Sequence, residues 1–223
     1  MGTDNFHHRG RAGRAARREA YQDERTSTWL FMCEGEKTER NYFEGLIKYL
    51  NLDIKVKYSK GGKNTTSLVK EYNHLYRDEK CDFGRVLFIF DKDSFDANNF
   101  NVAAEIAERI GTVAWSNESF ELWLCLHFYC IVTAQTRHWY NNKLTSILRE
   151  KGFLTENQSY EDDGKSDPNI FSNISEAGGC YKKAIERAKK LTEDKALHNP
   201  AKANPCTLIY KAVEALIEKA KKK

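Results

Sequence analysis

The chain has 223 residues, with 36 Lys plus Arg against 32 Asp plus Glu and a formal net charge of +4. Apolar residues make up 40% and aromatics 12%, enough for one sizeable core and too much for a disordered chain. The mean hydropathy of −0.70 and the absence of an apolar run near the ~20 residues of a spanning helix argue against an integral membrane protein. A charge of +4 neither requires nor opposes a polyanionic partner.

Residues 1–26 read as a basic, flexible arm. Arg9, Arg11, Arg14, Arg17 and Arg18 face only Asp4 over the first eighteen positions. Arg14, Arg17 and Arg18 are candidates for gripping nucleic-acid phosphates. No apolar secretion segment is visible, and none of the six cysteines forms a Cys-x-x-Cys pair. Reduced thiols and a cytoplasmic location are the expectation.

The apolar run Thr28 to Cys33 suits a buried strand. The polar turn Glu34-Gly35-Glu36-Lys37-Thr38-Glu39 follows, with Thr38 placed to cap a helix carrying Tyr42, Phe43, Leu46, Ile47 and Leu50. Glu36 and Glu39 are expected as solvated first-turn residues favoured by the helix dipole. Ile54, Val56 and Tyr58 alternate as a half-exposed strand. The loop Lys60-Gly61-Gly62-Lys63-Asn64 offers Lys60 and Lys63 as further phosphate contacts. A helix from Thr65 or Thr66 carries Leu68, Val69, Tyr72 and Leu75.

Val86 to Phe90 is uninterrupted and apolar, the mark of a strand covered on both faces, and it delivers Asp91-Lys92-Asp93-Ser94. A helix over about Asn99 to Ile110 and a strand over Thr112 to Trp115 follow. A long apolar helix is expected from Phe120. Beyond it, Asn141 to Glu150 reads as helix and Thr155 to Ser172 as a polar loop. Ser175 to Leu191 and Thr207 to Lys222 read as amphipathic helices, the last introduced by the Asn199-Pro200 and Asn204-Pro205 pairs. The pattern predicts an α/β core over 27–135, with about four parallel strands flanked by helices. A helical extension over 136–223 packs on it.

Ligands in open parallel sheets bind at the carboxyl ends of strands. Three such ends carry acids here: Glu34, then Asp91 with Asp93, then Glu118 with Glu121. Residues two apart in an extended segment project to one side, so Asp91 and Asp93 can share a hard cation. Oxygen-only donors suit Mg²⁺ or Mn²⁺. Glu121 sits among Phe120, Leu122, Trp123 and Leu124, where a charge needs a partner or a metal. Two other classes fit parts of this pattern. A haloacid-dehalogenase-like phosphotransferase would use Asp91 as nucleophile, and a non-catalytic module binding nucleic acid or an ATPase would use the acids only for structure.

Phe31-Met32-Cys33-Glu34-Gly35 followed by Phe88-Ile89-Phe90-Asp91-Lys92-Asp93 resembles a Toprim domain. The strings Cys-Glu-Gly-Glu-Lys-Thr-Glu (33–39), Phe-Asp-Lys-Asp-Ser-Phe (90–95), Trp-Ser-Asn-Glu-Ser-Phe-Glu-Leu-Trp-Leu (115–124) and Asn-Pro-Cys-Thr (204–207) resemble, in order, the RloB-like family of phage-defence proteins. The resemblance implies a Toprim-like core and a Mg²⁺- or Mn²⁺-dependent endonuclease. Glu34, Asp91 and Asp93 would be metal ligands, Glu34 also a general acid or base, and Lys37 or Lys92 a phosphate contact. Glu118 and Glu121 stand where related nucleases place a further acid, Glu118 as a further metal ligand and Glu121 as a catalytic residue beside Glu34, Asp91 and Asp93. The family usually shows Pro at the position of Glu118, which makes Glu121 the better candidate. The resemblance further implies an effector of anti-phage defence by abortive infection. It would act on nucleic acid (RNA in slight preference to DNA, tRNA among the candidates), alongside an ATPase partner. Homo-oligomers are compatible with it.

Overall fold

In the computed structural model, which describes residues 28–59, 65–76, 83–193 and 198–222, the four expected strands form one sheet. They are β1 (Thr28–Cys33), β2 (Lys55–Tyr58), β3 (Arg85–Asp91) and β4 (Thr112–Asn117). All four run parallel. A fifth strand, β5 (Cys206–Thr207), pairs antiparallel with β4, giving the order β2-β1-β3-β4-β5. Two residues are too few to show as a periodic run, so β5 was not expected.

The helices are α1 (Thr38–Tyr49), α2 (Thr65–Leu75), α3 (Ala97–Glu108), α4 (Glu121–Leu126), α5 (Arg137–Glu150), α6 (Ile170–Glu176), α7 (Tyr181–Glu193) and α8 (Ile209–Lys221). The period-two pattern of the strands sorts the core into two layers. Leu30, Met32, Phe88, Phe90 and Trp115 meet Leu68 of α2 and Phe100, Ala103 and Ala107 of α3. On the other face Trp29, Phe31, Leu87 and Ile89 meet Tyr42, Phe43 and Leu46 of α1, together with α4 to α8. Each fully buried side chain of this size contributes about 1.5–3 kcal/mol. The architecture is α/β, consistent with a Toprim-like layout, and no helix among the described residues is long and apolar enough to cross a membrane.

Three local expectations are corrected. Thr38 does not cap α1; its hydroxyl donates to the Lys165 carbonyl at 2.9 Å, tying the turn to a distant segment. The apolar helix from Phe120 lasts only six residues, because tertiary donors claim its end: Arg187 Nη1 bonds the Leu126 carbonyl at 2.6 Å and the Cys180 N–H bonds the His127 carbonyl at 3.1 Å. The helix expected over 175–191 is two helices. Gly178, at φ +95°, takes the left-handed conformation that ends α6, and α6 itself lies partly in what read as loop.

Candidate active site

The carboxyl ends of β1, β3 and β4 lie side by side, since Cys33 is in register with Ile89 and Asp91 with Ser116. Glu34 and Asp91 therefore leave neighbouring strands together. Glu34 Oε2 accepts from the Asp91 N–H and from the Thr65 hydroxyl, both at 3.3 Å. The turn after β3 is fastened to β4: the Lys92 N–H bonds the Ser116 carbonyl at 2.8 Å and the Asp93 N–H bonds the Glu118 carbonyl at 2.9 Å. Asp93 has a φ of +38°, in the left-handed region that Asp tolerates better than most residues. β4 is in turn held by β5. The Ser116 and Thr207 hydroxyls are 2.9 Å apart, and Asn117 Nδ2 donates to the Pro200 and Ala201 carbonyls at 3.0 Å each.

The guanidinium of Arg137, the first residue of α5, lies between the acids. Nη1 donates to Asp93 Oδ2 at 2.8 Å and Nη2 to Asp91 Oδ2 at 3.1 Å, while Nε is 3.8 Å from Glu121 Oε2. Lys165 Nζ is 3.4 Å from the other oxygen of Glu121. Glu39 joins this group. It is 6% exposed, and a Cβ at position 35 would stand 2.0 Å from its Oε2, so only glycine lets the carboxylate approach the turn. The expectation of a solvated Glu39 is thus overturned; it points inward to the acids rather than out along the helix dipole.

Crowding and burial raise the affinity of Glu34, Glu39 and Asp91 for protons. Burial pushes the Glu34 carboxyl up to about 7; the bond from Asp91 opposes this and the Glu39 charge adds to it. Burial also lifts Glu39 to about 7, with Glu121 adding and Arg137 opposing. Asp91 rises well above the usual carboxylate range, through burial first and then the charges of Glu39 and Glu121. Burial alone would lower Arg137, but Asp91, Glu121 and Asp93 more than offset it, so the guanidinium stays charged.

Glu34, Asp91, Asp93 and Glu121 come together as the strand ends suggested. The Glu118 carboxylate makes no hydrogen bond or ion pair with a described residue; its backbone carbonyl is what serves the site. Lys92 turns back, its ammonium donating to the Asp93 and Phe95 carbonyls, so it clamps the turn instead of reaching over the edge. Lys37 is exposed between two cavities that flank the β1–α1 turn. One, of about 360 Å³, lies between that turn and the 161–166 segment. The other, of about 310 Å³, reaches Arg40, whose guanidinium sits 4.5 Å from the centre of the Tyr58 ring. Arg14, Arg17, Arg18, Lys60 and Lys63 lie outside the described residues. Arg137, Lys165 and Glu39 were not anticipated. A glutamate four residues after the turn glycine Gly35 was the one available signal, and only for Glu39.

Among the described residues, no three Asp, Glu, His or Cys side chains are grouped tightly enough to grip a metal ion as they stand; the Arg137 guanidinium lies between them. A family model described as RloB-like protein matches residues 29–216. No curated protein and no solved structure matches the chain.

Proposed function

The chain belongs to the RloB-like family, and from that premise we propose that it is a metal-dependent endonuclease. The observation that carries this reading is the convergence of Glu34, Asp91, Asp93 and Glu121 on one edge of the sheet. The donors fit a hard divalent ion in kind, being carboxylate oxygens only. One of them, Glu121 Oε2, is buried without a hydrogen-bond partner, so the resident guanidinium does not complete the set. Glu34, Asp91 and Asp93 would hold Mg²⁺ or Mn²⁺, with Glu121 beside them. When bound, such an ion stabilises charge developing at phosphorus and makes a water molecule easier to deprotonate.

The chain's own groups do the rest. Glu34 Oε2 is occupied by Asp91 and Thr65, which leaves Oε1 to take or return a proton. Without an ion its carboxyl titrates near 7, raised by burial, so it holds a proton readily near neutral pH. Lys37 and Lys165 line the larger cavity beside Glu36, Glu39, Glu161 and Asp162, and are the two cations it offers to a phosphodiester. The nucleic-acid substrate (RNA in slight preference to DNA), the ATPase partner and the role in anti-phage defence rest on the family resemblance. The test is incubation of tRNA and supercoiled plasmid with Mg²⁺ or Mn²⁺, comparing wild type with Asp91→Ala and Glu34→Ala. Cleavage by wild type alone is expected; equal activity in all three proteins overturns the assignment.

One observation favours a second reading. A charged guanidinium already neutralises part of the acid group, as in a purely structural ion-pair network. A non-catalytic binding module would show this arrangement, and divalent ions would then leave its melting temperature unchanged.

A further inference from the structure

Five carboxyl groups, Glu34, Glu39, Asp91, Asp93 and Glu121, are gathered at the edge, against two cations, Arg137 and Lys165. We propose that Arg137 is a resident counter-ion, which a divalent ion must displace from Asp91 and Asp93 in order to bind. This rests on the metal-dependent reading of the site and adds how the site is kept closed without its ion.

Three features of Arg137 support it. The first is its fit, which is good to two acids and poor to the third. Nη1 and Nη2 make short bonds to Asp93 and Asp91, while Nε and Glu121 Oε2 face each other at 3.8 Å and both are buried without a hydrogen-bond partner. The planar fork bonds the two aspartates that follow β3 and leaves Glu121, which follows β4, beyond hydrogen-bond distance, whereas a spherical ion has no such directional limit.

The second is its position in α5. Thr136 caps that helix, accepting from the Trp139 N–H at 3.2 Å, so Arg137 occupies the first turn. A cation there opposes the helix dipole, and nothing in the helix itself favours it. The carboxylates hold it, and whatever neutralises them releases it. The third is access. The Arg137 side chain is 34% exposed, so the guanidinium can swing outward while α5 stays packed through Tyr140, Leu144 and Leu148.

Competition for shared ligands is a coupling between two cations, and it is reciprocal. Removing the guanidinium must tighten the ion, and the ion must loosen the guanidinium. Mn²⁺ titrations by calorimetry on the full chain at pH 7.5 test the first half. Arg137→Gln is expected to bind Mn²⁺ at least about fivefold tighter than wild type. Arg137→Lys, which keeps the charge, should stay within about twofold of wild type. Equal or weaker binding by Arg137→Gln overturns the proposal. The second half is read on the wild type, where no substitution can upset folding. Saturating Mg²⁺ should speed solvent exchange of the Arg137 Nε–H in proton–nitrogen NMR, and unchanged exchange overturns the proposal. Should Mn²⁺ bind neither protein, the metal-dependent reading fails and this one with it. Should the metal effects appear while tRNA and plasmid remain intact, the counter-ion assignment stands and the nuclease assignment falls.

Discussion

Two buried polar groups in this molecule handle burial in opposite ways. At the acidic edge, charges are kept and partly paired. Under α1, Tyr42 and His127 form a neutral pair, the Tyr42 hydroxyl 3.0 Å from His127 Nε2. Phe120, Phe171 and Trp123 pack edge-on around Tyr42, and Trp123 also lies edge-on to His127. Burial, helped by the Arg187 charge, pushes the His127 pKa down to about 3, so the ring is uncharged in the fold. The aromatic group contributes cohesion; the acidic edge retains unbalanced charge, which costs stability and is a common mark of a working site.

The largest test of that contrast exchanges the two effects. Asp91→Asn removes one charge from a crowded group whose fold already disfavours it. Cleavage should fall about 10²–10³-fold, while the melting temperature measured without metal holds or rises. Tyr42→Phe should do the reverse. It strands His127 Nε2 and costs about 1–3 kcal/mol in denaturant unfolding, with cleavage unchanged.

The pH response separates the groups further. The Glu34 and Glu39 carboxyls titrate near 7 in the fold but near the ordinary glutamate value when unfolded. The folded state binds more protons over that interval, so their contribution is complete below about 4.3 and is lost as pH rises through 7. His127 has the opposite sign: its contribution is complete above about 6.5 and is lost as pH falls toward 3. Melting curves of Glu39→Gln should therefore fall less than wild type between pH 5 and 7.5, with the acid limb below pH 5 kept. An identical alkaline slope in both proteins would show that Glu39 is not held inward. The smallest effect is expected at the β4–β5 seam. Thr207→Val removes the hydroxyl partner of Ser116 and should cost about 1 kcal/mol, read by the same unfolding curves.

β1 and the central strand β3 were legible almost to the residue, because a strand covered on both faces is written as an unbroken apolar run. For the same reason the acids that follow them, Glu34, Asp91 and Asp93, fall on one edge from the chain's pattern alone. Arg137 and Lys165 could not. They reach the edge by tertiary contact, Arg137 from 44 and 46 residues beyond its two partners, and in the chain they look like ordinary surface cations. Glu39 misled for a related reason. A first-turn glutamate is usually solvated, and only the glycine at 35 allows this one to turn inward. The Asn-Pro-Cys-Thr string showed in the sequence as a family feature, and its physical role emerged only as the strand that fastens Asn117 and Ser116.

That strand also sets when the edge can exist. Ser116 meets a hydroxyl 91 residues further along, beyond both Arg137 and Lys165 in the chain. During synthesis at about 5–20 residues per second, the roughly 70 residues between Arg137 and Thr207 take about 4–14 s to add. Over that interval the acids are present without the strand that pairs with the far edge of β4. Under the proposed nuclease reading, the late arrival of this two-residue strand would hold back the active edge until Thr207 has been added.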